Sequence, residues 1–337
     1  MNAKLNLGFS CLFVLASAAC SDDSTPASAP VTNPDASPPA PTWTTAVRAT
    51  FDPAAGQLPE GVTVKDGFAY AGFAPLGEIV KVDLQSGKST PFGSIPKPVA
   101  NKGFMTGLTF GADGMLYAAL VSFDPSVQPG IYRLPAAGGQ GTLFAKDANM
   151  IFPNGLVFDA AGALFVTDSA AGAIYKIDPT GAVATWGSSP LLTGDRNACG
   201  GSGNGFDIGA NGLVVRDNTF YATNTDKGAI VSFAIQADGT AGPGELTAGP
   251  DCATFSGADG ITKDSDGNLI IAINRQNKII RLARSGAIAL VAGGDAVDFP
   301  ASLDWNGSTL IATNFALANA SSGKPAHPGL LGITATR

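Results

Sequence analysis

The hydrophobic pattern of this 337-residue chain is one of short apolar runs cut by polar turns. One stretch shows the grammar in full. Residues 260–264 form a short strand-like run, and Asp266-Gly267-Asn268 then turn the chain, because Asp-Gly pairs tolerate positive φ. Residues 269–273 are apolar without interruption. Arg275-Gln276-Asn277 turn the chain again, residues 278–282 alternate in polarity, Ser285-Gly286 make a third turn, and residues 287–292 form the last run. Runs this short, rich in Ile and bounded by turn residues, predict strands rather than helices. Four strands and three turns make a small antiparallel sheet.

The grammar repeats. Matching runs occupy residues 68–71 and 78–82, 115–119 and 130–134, 164–167 with 172–178 and 182–186, and 219–223 with 228–233. Each unit opens with a short polar residue, a small residue and an apolar run. These marks are Glu60-Gly61-Val62, Thr106-Gly107-Leu108, Asn154-Gly155-Leu156, Asn211-Gly212-Leu213, Asp259-Gly260-Ile261 and, without the glycine, Ser302-Leu303. A strand-rich repeat of ~50 residues is a propeller blade. Six marks predict an all-β fold, a six-bladed β-propeller. The last unit, with runs at 302–305, 310–313 and 330–334, lacks a fourth strand. The strand-like residues 46–51 ahead of the first repeat are expected to supply it. The ring then closes by an N-terminal strand completing the last blade and leaves no open sheet edge.

Equivalent positions of successive blades lie on one ring about the central axis. Glu60, Asn154, Asn211 and Asp259 would face inward there, at one mouth of the channel. Two carboxylates and two amide carbonyls form an oxygen-only site of charge −2, which suits Ca²⁺. Another divalent cation, magnesium included, fits less well because it demands stricter geometry. Zinc is disfavoured, since no thiolate is at hand and His327 is the sole histidine. Asn-Gly and Asp-Gly pairs are also common turn dipeptides. Here, however, such pairs open strands at three matching repeat positions and Glu60-Gly61 at a fourth, which turn chemistry does not explain.

Composition narrows the setting. Charged residues are 14%, glycines number 43 and the net charge is −7. With no Lys/Arg cluster, nucleic acid is not an expected partner, nor is electrostatic adhesion to an anionic membrane surface. The N-terminus reads as a leader. Lys4 precedes an apolar stretch over residues 5–14, followed by Ser17-Ala18-Ala19-Cys20. Residues 1–20 are therefore expected to be a signal peptide. Cys20 resembles the lipid-carrying cysteine of a bacterial lipobox; the alternative is an ordinary secretory signal cut near Ala19. Residues 21–43, rich in Ser, Pro and Ala, are expected to be a disordered tether, with the propeller over residues 44–337. The chain should be exported, either as a periplasm-facing lipoprotein of the cell envelope or as a secreted protein. It would touch membrane through its anchor only, and is taken as a monomer. Ser21 after the lipid cysteine favours an outer membrane. In an exported domain, the two remaining cysteines, Cys199 and Cys252, are expected to pair. They flank loops on one face, and the Gly-rich loop 198–210 is either a lid over the mouth or an insertion that touches no ligand.

The segments Pro59-Glu60-Gly61, Phe152-Pro153-Asn154-Gly155-Leu156, Ala210-Asn211-Gly212-Leu213 and Ala258-Asp259-Gly260-Ile261 carry a resemblance. In order and spacing the chain resembles the calcium-dependent six-bladed propeller hydrolases: the senescence-marker-protein/gluconolactonase/luciferin-regenerating-enzyme family, with paraoxonases and diisopropylfluorophosphatase. The resemblance runs from about Pro59 to the C-terminus. It implies Glu60, Asn154, Asn211 and Asp259 as ligands of a catalytic Ca²⁺. It also implies Asp259, beside Glu60, as the catalytic carboxylate, acting as nucleophile or general base on a small-molecule lactone or ester. Gluconolactonase-like members hold a sugar with an Arg and an Asn-Asp-Gly group in the second blade. Here the matching stretch offers Lys102 and Thr106, which with Ser302 are the candidate substrate-binding residues. No counterpart of paraoxonase-like histidines is evident, and His327 reads as a loop residue. A non-catalytic propeller binding a ligand or protein at the envelope, with a structural calcium, is the competing reading.

Overall fold

The computed structural model describes residues 41–200 and 205–336. The signal peptide, Cys20 and nearly all of the expected tether lie outside the described residues. Six antiparallel sheets are arranged as a six-bladed β-propeller. The innermost strands are Pro59–Lys65, Gly103–Phe110, Pro153–Phe158, Ala210–Arg216, Ala258–Lys263 and Pro300–Asn306. Each blade then runs outward through its next strands in sequence. The last blade closes as expected: Gly329–Thr336 pairs antiparallel with Thr42–Thr50. This closing strand begins earlier than residue 46. Trp43 packs on the core between the fifth and sixth blades, and its inward side chain carries the strand four residues farther than the apolar pattern marks. The first blade also gains a short parallel addition, Gly139–Gln140, beside its outer strand.

The core is divided. Six hydrophobic clusters each lie between one blade and the next. The second strand of each blade is sandwiched between two such clusters, so it is apolar on both faces. Leu269–Ile273 and Leu116–Ser122 are buried along their whole length. This accounts for the uninterrupted apolar runs, where a one-sided sheet would alternate.

Every innermost strand carries a register shift against its neighbour, and it falls at the repeat mark in each. Such a bulge sets two residues against one and re-aims a side chain. The glycine after the polar residue has a separate cause. A β-carbon on Gly61, Gly107, Gly155, Gly212 or Gly260 would run into the backbone carbonyl oxygen of Thr106, Asn154, Asn211, Asp259 or Ala301, respectively. None of the five is in the left-handed region, so these are packing glycines and not turn glycines.

The last match fixes the register of the sixth blade. Gly260 faces the carbonyl of Ala301, and Pro300 pairs with Asn314 just as Ala258 pairs with Ile273. Ala301, and not Ser302, is the sixth member of the ring. Ser302 takes the place that glycine holds elsewhere, and its N–H donates to Thr313 Oγ1 at 2.8 Å as Gly212 N–H donates to Thr223 Oγ1 at 2.8 Å.

Candidate metal centre

The ring is thus Glu60, Thr106, Asn154, Asn211, Asp259 and Ala301. All six are buried, each at 7% exposure or less. Hydroxyl groups on the second strands stitch their backbones together. Thr313 Oγ1 donates to Glu60 O at 3.0 Å and Thr223 Oγ1 to Asp259 O at 2.6 Å, while Thr167 Oγ1 donates to Asn211 O. The carbonyls of Glu60, Asn211 and Asp259 are thereby engaged by the wall, and their side chains carry the chemistry of the site.

The two ring amides are oriented by a shared device. Asn154 Nδ2 donates to Ser169 Oγ at 3.1 Å, and Ser169 passes a hydrogen bond to Ala210 O at 2.6 Å. Asn211 Nδ2 donates to Thr225 Oγ1 at 2.9 Å, which donates to Ala258 O at 2.7 Å. With each nitrogen spent on the wall, the amide oxygen is the free end, and an oxygen is what a hard cation takes.

Asp259 is held by a third residue of the same structural position. Asn274 Nδ2 donates to Asp259 Oδ2 at 2.6 Å. Ser169, Thr225 and Asn274 each follow the last residue of a second strand and lie 15, 14 and 15 residues after the ring residue they bind. This supporting tier escaped the sequence reading, which placed Arg275-Gln276-Asn277 in a turn and assigned Asn274 nothing. The repeat spacing was the available signal.

The electrostatics concentrate on two acids. Burial, with repulsion from Asp259, holds the Glu60 carboxyl well above the usual carboxylate range. Burial pushes Asp259 up to about 7, against the opposing hydrogen bond from Asn274, the charge of Arg275 and hydrogen bonds from Asn211 and the Gly260 N–H. The pair is close enough to interact, and Asn211 touches Asp259. Asn154 stands next to Asn211 in the ring, the Asn211 backbone carbonyl packed against Gly155. Glu60 Oε2 is buried with no hydrogen-bond partner. An orphaned carboxylate oxygen beside a second buried acid is costly unless a cation neutralises both. Among the described residues, no three His, Cys, Asp or Glu side chains converge as a ligand group. The ring instead mixes two carboxylates with two amide oxygens, and that donor set fits Ca²⁺.

The remaining candidates sit elsewhere. Thr106 is in the ring, but its hydroxyl donates to Pro153 O at 2.9 Å. Lys102 is exposed and paired with Asp124 at 2.9 Å. His327 lies on the outer side of the sixth blade, in a groove shared with Val47, Ala49 and Asp295. Its N–H donates to Asp298 Oδ2 at 2.9 Å. The expected Cys199–Cys252 disulfide is present. It joins the loop before the fourth blade to the short helix Cys252–Phe255 before the fifth. Among the described residues no helix is long and apolar enough to cross a membrane.

No protein-family model matches the chain, and no curated protein does. Solved structures match across most of its length. A luciferin-regenerating enzyme is 15% identical with a TM-score of 0.61, covering 88% of this chain and 95% of its own. A calcium-binding protein, regucalcin, from Agrobacterium tumefaciens is 19% identical with a TM-score of 0.59, covering 85% and 95%. The PQQ-bound aldose sugar dehydrogenase of Streptomyces coelicolor is 15% identical with a TM-score of 0.57, covering 87% and 100%. At these identities the likeness is one of architecture: the chain shares the six-bladed propeller fold with these structures.

Proposed function

We propose that this protein is an exported, lipid-anchored, calcium-dependent hydrolase of a lactone or ester, attached through Cys20 at the bacterial envelope. The observation that carries the reading is the buried acid pair, Glu60 and Asp259, with one carboxylate oxygen left unpartnered beside two amides turned oxygen-outward. Glu60, Asn154, Asn211 and Asp259 would hold the ion. When bound, Ca²⁺ supplies a Lewis acid that draws charge from the substrate carbonyl oxygen.

The chain's own residues do the rest. Asn274 fixes one oxygen of Asp259, so its other oxygen has a defined direction. Asp259 takes the proton of the attacking water, or adds to the acyl carbon and is released by water afterwards. Either route consumes one water and yields acid and alcohol, the alcohol oxygen recovering the proton. Asn154 and Asn211 keep the site fixed through Ser169 and Thr225, so no reorientation is needed as charge develops.

The competing reading is a non-catalytic binding propeller in which calcium only locks the ring. The dense stitching of the ring to its neighbours favours a structural contribution from any ion held there. A panel of aryl esters and lactones assayed with and without chelator separates the two. Turnover that chelation abolishes and Asp259→Asn removes supports the hydrolase. Tight Ca²⁺ binding with no turnover on any member leaves the binding module.

A further inference from the structure

The mouth of the ring has two unlike halves. Two residues before each ring position, the inner chain carries Leu58, Phe104, Phe152, Gly209, Gly257 and Phe299 in blade order. The register fixes this equivalence. Ala74, Ser169, Thr225, Asn274 and Phe315 donate their N–H groups to the carbonyls of Leu58, Phe152, Gly209, Gly257 and Phe299. The sixth, first, second and third blades therefore place large apolar side chains at this position on one continuous arc, and the fourth and fifth place glycine there, while Phe206 from the loop before the fourth blade packs on Phe152 and Phe123 at 5.6 and 5.8 Å. The residues after the second strands divide in nearly the same way, with the third blade at the boundary because it carries both Phe152 and Ser169. Phe315 and Ala74 lie on the apolar arc, while Ser169, Thr225 and Asn274 hold the ring residues on the polar one.

The apolar arc is one packed surface that reaches the ring. Leu58, Ala74, Phe315 and the ring residue Ala301 form a single cluster, with Phe104 and Phe299 packed against it and only partly buried. Phe104 stacks edge-on to Phe152 at 5.2 Å, and Phe299 to Phe315 at 6.1 Å. Phe123, 48% exposed, extends the surface from Phe152 toward solvent. The second blade's hairpin runs on past the ring, pairing Phe104 with Val121 and Gly103 with Ser122, and this raises Phe104 and Phe123 at the mouth. Lys102, two residues before Phe104, is paired with Asp124 at 2.9 Å. A polyhydroxylated substrate would find few hydrogen-bonding side chains on this half.

We propose, resting on the hydrolase reading, that the substrate's acyl or aromatic substituent lies on this arc, with Phe104 as the specificity-determining residue. The reacting group then sits over Glu60 and Asp259, and the substrate class is a lactone or ester with an apolar side group rather than a sugar lactone. A pocket with an apolar body and a few convergent polar groups orients such a molecule by its one polar end.

The test uses the Ca²⁺-loaded full-length protein and p-nitrophenyl esters from acetate to decanoate, with glucono-δ-lactone alongside. The expected kcat/KM rises roughly fourfold for each methylene that becomes buried, and Phe104→Ala flattens that rise while Phe104→Leu retains it. Phe123→Ser, at a half-exposed position, reports the same trend if Phe104→Ala does not fold. A flat or falling profile with glucono-δ-lactone preferred overturns the inference and leaves the hydrolase reading in place. If no ester or lactone turns over, calorimetry with methylphosphonate and octylphosphonate decides. Tighter binding of the octyl compound, lost in Phe104→Ala, upholds the apolar arc although the hydrolase reading has failed; equal binding of the two overturns it.

Discussion

Asn274 Nδ2 lies 2.6 Å from Asp259 Oδ2, and among the described residues this is the one hydrogen bond from a side chain outside the ring to a ring carboxylate. It favours the charged form of Asp259, so its loss raises the pH at which that acid ionises. Asn274→Ala should lower kcat/KM by about tenfold or more, the worth of a hydrogen bond to a charged group. It should also move the acidic limb of the pH–rate profile upward. Ser169→Ala, which frees the amide of Asn154, should lower activity without moving that limb, because an amide does not titrate. Coincident limbs for Asn274→Ala and the parent protein would remove Asn274 as a positioning residue.

The acid pair makes metal-free stability depend on pH, with a sign that can be worked out. Asp259 is pushed up to about 7 and Glu60 well above its ordinary value. Between about pH 4, where carboxyls ionise in the unfolded chain, and about 7, the folded chain holds protons that the unfolded chain has released. Stability in chelator therefore falls as pH rises through this window. Calcium competes with those protons, so the gain in melting temperature on adding Ca²⁺ should be small at pH 5 and large at pH 8. Thermal melts at four pH values, with chelator or millimolar Ca²⁺, read this directly. A calcium shift that is constant across the range would contradict the arrangement.

Replacing one acid should invert the order of stabilities. Asp259→Asn removes the repulsion on Glu60 and the burial of a second charge while keeping the shape. In chelator at pH 8 the variant should melt above the parent, by ~2 °C for each kcal/mol relieved. In excess Ca²⁺ the parent should melt higher, because the variant has lost a ligand charge. A variant that melts lower in both conditions would mean that the aspartate contributes to the fold in a way the ring does not explain.

The legible part of this architecture was what repeats. Apolar runs at fixed offsets gave the blade, and the polar-small pairs gave the ring members, because a bulge that aims a side chain into the channel needs a polar tip and a small follower. The sixth blade departed from the pattern. With Ala301 in the ring and Ser302 in the glycine place, it has no polar-glycine pair, and Ser302 was the sole polar residue to align. The ladder partner of Pro300 and the approach of Gly260 to the Ala301 carbonyl resolve that shift of one. Asn274 was hidden for another reason: its role is set by a carboxylate 15 residues earlier in sequence, across a hairpin. The apolar arc was hidden too, since Phe104 and Phe152 precede the repeat marks and carry no signal of their own until their ring position is known.

The packing of the ring makes its glycines unequal to other small residues. Gly212 has an ordinary backbone conformation, yet a β-carbon there would meet Asp259 O, Ile261 N at 2.8 Å and Gly260 Cα at 2.9 Å, all of them backbone atoms. Backbone cannot swing aside as a side chain does, so the fourth and fifth blades would have to part. Gly212→Ala should cost ~2 kcal/mol or more and weaken Ca²⁺ binding as Asn211 moves relative to Asp259. The equivalent place in the sixth blade already carries the β-carbon of Ser302, so that junction with the first blade is wider. Ser302→Gly should therefore change stability by no more than ~1 kcal/mol, the backbone-entropy cost of glycine alone. Denaturant midpoints for the two variants, with calorimetric Ca²⁺ affinities, check both halves. Equal and small effects at Gly212 and Ser302 would show that the blades do not meet through these residues, and the close approach that defines the ring would fall with them.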